Sequence, residues 1–199
     1  MSMCKVSCGW VFIAVAWIFY THSAYAEWRP DSIQVSGGDC VVRESKVDET
    51  KITILFYDFL LSLRGQSGRQ ASENLSCSFD VEFRIPANHR LKNLSNRIFV
   101  KAEKDKHSAL SLDAAVAMNG TQFSQTGKLL KGNGFSGRLL LYKSFDVKDA
   151  ADCSPADQYI HLRTDLSFGL EIGPDSRGAM IDMSGETEWI DLWLDVERC

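Results

Sequence analysis

The stretch CSFDVEFRIP, Cys77 to Pro86, decides the fold. Phe79, Val81, Phe83 and Ile85 fall on one side of an extended chain, and Ser78, Asp80, Glu82 and Arg84 on the other. A period of two matches the pleat of a β-strand, whose successive side chains point to opposite faces. The stretch therefore reads as a strand with one face in a core and one in water. Sheets with one wet face are characteristically antiparallel. Pro86 has no N–H to give a neighbour and ends the strand.

The same alternation returns in QYIHLRTDLSFGLEIG, Gln158 to Gly173. Ile160, Leu162, Leu166, Phe168, Leu170 and Ile172 face in; His161, Arg163, Asp165 and Glu171 face out. The run is long for one strand, so Gly169 is expected to mark a bulge or bend. KITILFYDF, Lys51 to Phe59, is apolar almost throughout and reads as buried on both faces. Shorter strand candidates are NRIFVKAE, ALSLDAAVAMN, TQFSQTG, GRLLLYKSFDV and GAMIDM. Ala and Met make helix the competing reading for Ser111 to Asn119; the even spacing of Leu110, Leu112 and Val116 favours strand. Turns fall at Gly37-Gly38, Asn119-Gly120, Gly132-Asn133-Gly134, Gly173-Pro174-Asp175 and Ser184-Gly185. SLRGQSGRQASEN, Ser62 to Asn74, is the longest polar loop. Many short strands between regular turns imply an all-β, single-domain antiparallel β-sandwich, with a barrel-like closure as the alternative.

The N-terminus fixes the destination. One cation, Lys5, precedes an apolar run from Trp10 to Tyr20 and the small-residue pattern Ala24-Tyr25-Ala26. This is the layout of a secretory signal peptide over residues 1–26, leaving a domain over 27–199. The run is shorter than the ~20 residues of a spanning helix, and the mature chain has no membrane span. Cys4 and Cys8 leave with the signal, so Cys40, Cys77, Cys153 and Cys199 remain. An even count in an oxidising compartment reads as disulfides, and dozens of residues between neighbours do not suit the close pairs of a zinc site. Of the three pairings, the sequential one, Cys40–Cys77 with Cys153–Cys199, closes the shortest loops. It ties down the last strand, WIDLWLDVERC, which would otherwise fray at the chain end.

The order of these features resembles a family of small secreted four-cysteine proteins known as domain of unknown function 4360. The resemblance rests on GGDC near the mature start, the apolar ITILFYDF, and a cysteine leading an alternating strand into proline in CSFDVEFRIP. It continues with a cysteine in the turn DCSPAD and the final ERC. Ala87-Asn88-His89 and Val196 depart from the family pattern. The resemblance implies a secreted disulfide-tied β-domain; it implies no activity and no catalytic residues.

Charge and motifs narrow the function. A net charge of −4 with no basic stripe gives no footprint for nucleic acid. The mature histidines His89, His107 and His161 form no metal or catalytic spacing and read as surface residues. There is no nucleophile elbow, P-loop or dinucleotide fingerprint. Asp146, Asp149 and Asp152 recur every third residue beside Cys153, but the spacing matches no calcium loop and reads as a solvated acidic turn. No cofactor and no metal are implied. Asn74, Asn93 and Asn119 sit in glycosylation acceptor patterns, which count only in a host that glycosylates.

The last strand is the most suggestive stretch. With Ile190, Leu192, Leu194 and Val196 facing the core, Trp189, Asp191, Trp193 and Asp195 share the other face. Indoles flanked by carboxylates can stack on sugar rings and accept hydroxyl hydrogen bonds. The sequence therefore leans away from an enzyme. It points to a secreted module, extracellular or periplasmic, that binds a glycan or an envelope or extracellular protein through these four residues. The competing readings are a secreted hydrolase with a loop-built site and a secreted inhibitor or toxin-like factor.

Overall fold

The computed structural model describes residues 26–65, 68–147 and 152–199. The expected signal peptide lies outside these residues except for Ala26, and so does Asp149. The described chain is built from strands: β1 (Glu27–Gly38), β2 (Val41–Asp48), β3 (Lys51–Tyr57), β4 (Leu60–Arg64), β5 (Ala71–Ile85), β6 (His89–Lys104), β7 (Ser108–Met118), β8 (Thr121–Leu130), β9 (Phe135–Asp146), β10 (Gln158–Ile172), β11 (Gly178–Asp182) and β12 (Ile190–Arg198). No helix among the described residues is long and apolar enough to cross a membrane.

The strands form two antiparallel sheets that pack as a sandwich. One sheet has five strands in the order β1-β5-β10-β7-β8. The other has seven, in the order β2-β3-β12-β6-β11-β4, with β9 on the far edge of β6. No ladder joins the two sheets, so the architecture is a sandwich and not a closed barrel. The alternation read from β5 is obeyed: Cys77, Phe79, Val81, Phe83 and Ile85 are buried and the residues between them are not. Their partners come from the opposite sheet. Phe56 lies 5.9 Å from Phe79, and Phe59 lies 4.8 Å from Phe168, ring centroid to ring centroid.

Strand β6 organises the seven-stranded sheet. Its 16 residues carry β9 along one edge. The other edge is shared, with β12 on residues up to Ile98 and β11 on Lys101 to Lys104. Strand β12 is thereby central, hydrogen-bonded to β6 on one side and β3 on the other.

Several expectations are corrected. Gly169 marks no bulge, because β10 pairs with β5 and β7 in unbroken register through it. A Cβ there would come within 2.5 Å of Ser111 Oγ and 2.9 Å of Asn74 Oδ1 on the flanking strands, so these two side chains would have to turn aside to admit one. The polar stretch Ser62 to Asn74 is not one loop: 62–64 belong to β4, which pairs with β11, and 71–74 to β5, which pairs with β10, while 66 and 67 lie outside the described residues. Ser62, Ser72 and Asn74 are exposed on sheet surfaces. In β3, Ile52, Ile54 and Phe56 are buried on the core side, but Tyr57 on the other side is exposed, so only Leu55 fits burial on both faces. Strands β1, β2 and β4 carry too little apolar alternation to be read from the sequence.

Because consecutive strands repeatedly change sheet, the crossovers need ties. The Cys40–Cys77 disulfide fixes the passage from β1 to β2, and Cys153–Cys199 fixes the passage from β9 to β10 and the chain end together. Asn88, with φ of 58°, donates its N–H to Ser154 and accepts from the Cys199 N–H, so the β5–β6 turn joins the same knot.

The opposite end is closed by Asp105 and Lys104. The Asp105 carboxylate accepts from the backbone N–H groups of His107 and Arg177 and from the hydroxyls of Ser108 and Ser176. Buried Lys104 donates to the carbonyls of Asp105, Gly132 and Asn133. The turns β6–β7, β8–β9 and β10–β11 thus converge on one ion of each sign. Burial alone would raise the Asp105 pKa, but its hydrogen bonds outweigh burial and lower it from 3.8 to about 2.

A folded-state value below the unfolded one stabilises the fold above the unfolded pKa, and that stability is lost as pH falls through the folded pKa. Asp105→Asn is therefore expected to cost about 2 kcal/mol in urea unfolding at neutral pH. The gap to the wild type should narrow as pH falls from 3.8 towards about 2. A gap that is constant across that window would contradict the role given to the carboxylate.

Candidate functional site

The four residues expected on one face of the last strand do share it. Ile190, Leu192 and Leu194 are buried in the core, and the odd-numbered residues point the other way, onto the outer surface of the seven-stranded sheet. The face is wider than β12 alone, because flanking strands add side chains in register. One row runs Tyr142, Arg97, Asp191, Thr53, Lys46 across β9, β6, β12, β3 and β2. The next runs Ser144, Ser95, Trp193, Lys51, Asp48. Phe99 pairs with Leu140, and its N–H donates to the Trp189 carbonyl, continuing the β6–β12 ladder one step past Ile190.

The indoles are not equivalent. Trp189 is half-buried, with its ring 4.6 Å from that of Phe99, and its Nε1–H donates to Asp191 Oδ2 at 2.9 Å. Trp193 is also half-buried, but its cross-strand neighbours on β6 and β9 are the short Ser95 and Ser144, hydrogen-bonded to each other. The Arg97 guanidinium carbon lies 4.8 Å from the centroid of the Trp193 ring and 5.7 Å from that of the Tyr142 ring. Tyr142 and Leu140 complete an apolar margin along β9, exposed to 55% and 46%.

Asp191 does not act as expected. It is only 6% exposed, and both its oxygens are taken: Thr53 donates to Oδ1 and Trp189 to Oδ2. A carboxylate so placed orients the Trp189 indole and is largely shielded from solvent. Asp195 is exposed and lies near Asn93 and Lys92, so it remains available at the margin of the face. Sequence reasoning missed Phe99, Arg97, Leu140 and Tyr142. They lie far from β12 in the chain, and only the β6 and β9 register brings them together.

Catalytic groupings are sparse by comparison. A cavity of about 290 Å³ on the Asp105 side of the molecule contains His107, Glu171, Lys106 and Lys131. No hydrogen bond joins the His107 ring to Glu171 or to a nucleophile among the described residues. His89 Nδ1 lies 2.9 Å from the Ala87 carbonyl, and His161 lies 3.4 Å from Glu82 on the far sheet. No group of three or more His, Cys, Asp or Glu that could hold a metal ion occurs among the described residues. Asp146 and Asp152 of the acidic turn are described, whereas Asp149 is not.

No family model and no curated protein matches the chain. Among solved structures, it is similar to a mannan-recognising carbohydrate-binding module, TmCBM27, with 10% identity, covering 88% of this chain and 100% of the other at a TM-score of 0.34. It is similar to TmCBM61, solved with β-1,4-galactotriose, with 10% identity, coverage of 85% and 87% and a TM-score of 0.29. It is also similar to 14% of latent PorU from Porphyromonas gingivalis, with 12% identity over 83% of this chain and a TM-score of 0.29. Likeness at these scores carries no argument about a ligand.

The two sides of β12 should respond differently to truncation in equilibrium unfolding. Leu192→Ala is expected to cost about 2–5 kcal/mol, since it opens a cavity in the core. Trp193→Ala should cost about 1 kcal/mol, the loss of one partly solvated cation–π contact and some packing. Asp191→Ala should fall between them, at about 1–3 kcal/mol, because it strands the Trp189 and Thr53 donors. Equal costs for Trp193→Ala and Leu192→Ala would make the indole a core residue.

Proposed function

We propose that this protein is a secreted, non-catalytic β-sandwich module that binds a glycan on the outer face of its seven-stranded sheet. The observation that carries the reading is the group Tyr142, Arg97, Trp193 and the Phe99–Trp189 pair, gathered from β9, β6 and the central strand β12. A pyranose ring has an apolar face of C–H groups and a rim of hydroxyls. A flat aromatic surface bordered by hydrogen-bonding groups complements both. Here Trp193 and Tyr142 offer the flat surface, while Ser95, Ser144, Asn93 and Asp195 border it.

Rigidity supports the reading. Trp189 is held by contact with the tilted Phe99 ring and by a hydrogen bond, and Trp193 stands on a strand paired along both edges. Side chains already ordered in the free protein lose little freedom on binding, which favours affinity for small, flexible ligands. Two disulfides suit an oxidising compartment, in keeping with the signal-like N-terminus.

The test is affinity electrophoresis through gels containing soluble cell-wall polysaccharides, both neutral and acidic. At least one polysaccharide should retard the wild type. Trp193→Ala should weaken that interaction by about 2 kcal/mol, roughly thirtyfold, if the indole is an anchor. Tyr142→Ala should weaken it less. Retardation unaffected by both substitutions, with folding intact, would move the binding site elsewhere.

A further inference from the structure

We propose that this face selects acidic glycans, chains bearing uronic-acid carboxylates, and that Arg97 is the residue that reads the carboxylate. The inference rests on the reading of the face as a glycan site and names its substrate class.

Arg97 stands directly opposite Asp191 in the β6–β12 ladder, the position of an ordinary cross-strand ion pair. The pair is not made. Asp191 is engaged by Thr53 and Trp189, Glu197 by Arg90, and Asp195 lies near Lys92 and Asn93. Arg97 forms no ion pair or side-chain hydrogen bond among the described residues, and its Nε is buried without a partner. Its guanidinium instead lies over the rings of Trp193 and Tyr142, at 4.8 Å and 5.7 Å from their centroids.

A guanidinium has five N–H donors and no acceptor, and its planar fork matches the two oxygens of a carboxylate. Aromatic rings can hold the cation in position but cannot satisfy those donors. A uronate supplies both missing parts on one residue: a sugar face for Trp193 and a carboxylate for the fork. A neutral sugar supplies only the first. With Asp191 bonded to Thr53 and Trp189, no Asp191–Arg97 pair occupies the donors that a ligand needs.

The test compares polygalacturonate, alginate and hyaluronate with their methyl-esterified forms, which keep the sugar chain and lose the charge. Binding of each to the disulfide-bonded protein is measured by affinity electrophoresis. At least one acid form should bind about tenfold or more tighter than its ester, in line with a charge-assisted paired contact. Arg97→Gln should bring the two forms to within about threefold, while Arg97→Lys, which keeps the charge but not the fork, should retain an intermediate preference. Should Arg97→Gln not fold, Arg97→Lys and the salt dependence of the wild type decide the matter. The preference for the acid must fade at high ionic strength, and a salt-insensitive preference overturns the proposal. An acid preference that survives intact in Arg97→Gln overturns it as well. Equal binding of acid and ester, lost in Trp193→Ala, overturns the acidic selectivity and leaves the glycan face standing. No binding of any of the six, with neutral polysaccharides also failing to bind, overturns both.

Discussion

Burial of one face of each long strand against the opposite sheet is the constraint on which the rest depends. Phe56 of β3 and Phe59 of the β3–β4 connection meet Phe79 and Phe168 of the five-stranded sheet, and the alternation along each long strand sets which of its sides is inward. Once it is fixed, register leaves no freedom: a slip of one residue would carry the whole apolar set to the solvent face. The outer faces are then free to vary without cost to the core. The crossovers between sheets are the weak places, and they are where the disulfides and the Asp105–Lys104 pair are found.

The candidate site follows from the same constraint. Strand β12 is at the centre of its sheet, so its outer side chains are flanked by those of β6 and β3, with β9 one strand further away. The central position gives rigidity, and the alternation gives direction. What the site adds is a redistribution of partners: Asp191 serves the Trp189 indole, and Arg97 is left to aromatic rings.

Much of this was legible in the sequence, for a physical reason. Alternation in Cys77–Ile85 and Gln158–Ile172 reports burial directly, because the strand period and the apolar period coincide. The sequential cysteine pairing was legible as the choice of shortest loops, and the structure contains both bridges. The shared face of Trp189 and Trp193 followed from the same period. Three kinds of information were out of reach. Strands such as β1 and β2 are held mainly by pairing with a neighbour and show little apolar period of their own. Gly169 looks like a bulge in one dimension, yet both flanking ladders run through it in unbroken register. The neighbours of β12 are set by register between distant segments, so neither Arg97 nor Tyr142 could be joined to Trp193 from the sequence.

The central claim is that ligand meets the seven-stranded sheet at Trp193 and Tyr142. Hydroxyl-radical footprinting of the protein, free and saturated with whichever polysaccharide binds it, tests this directly. The account predicts that Trp193, Tyr142 and Leu140 lose reactivity on binding, while Tyr159 and Leu129, exposed to 55% and 57% on the five-stranded sheet, keep theirs. Protection of Tyr159 or Leu129 with Trp193 and Tyr142 unchanged would contradict it.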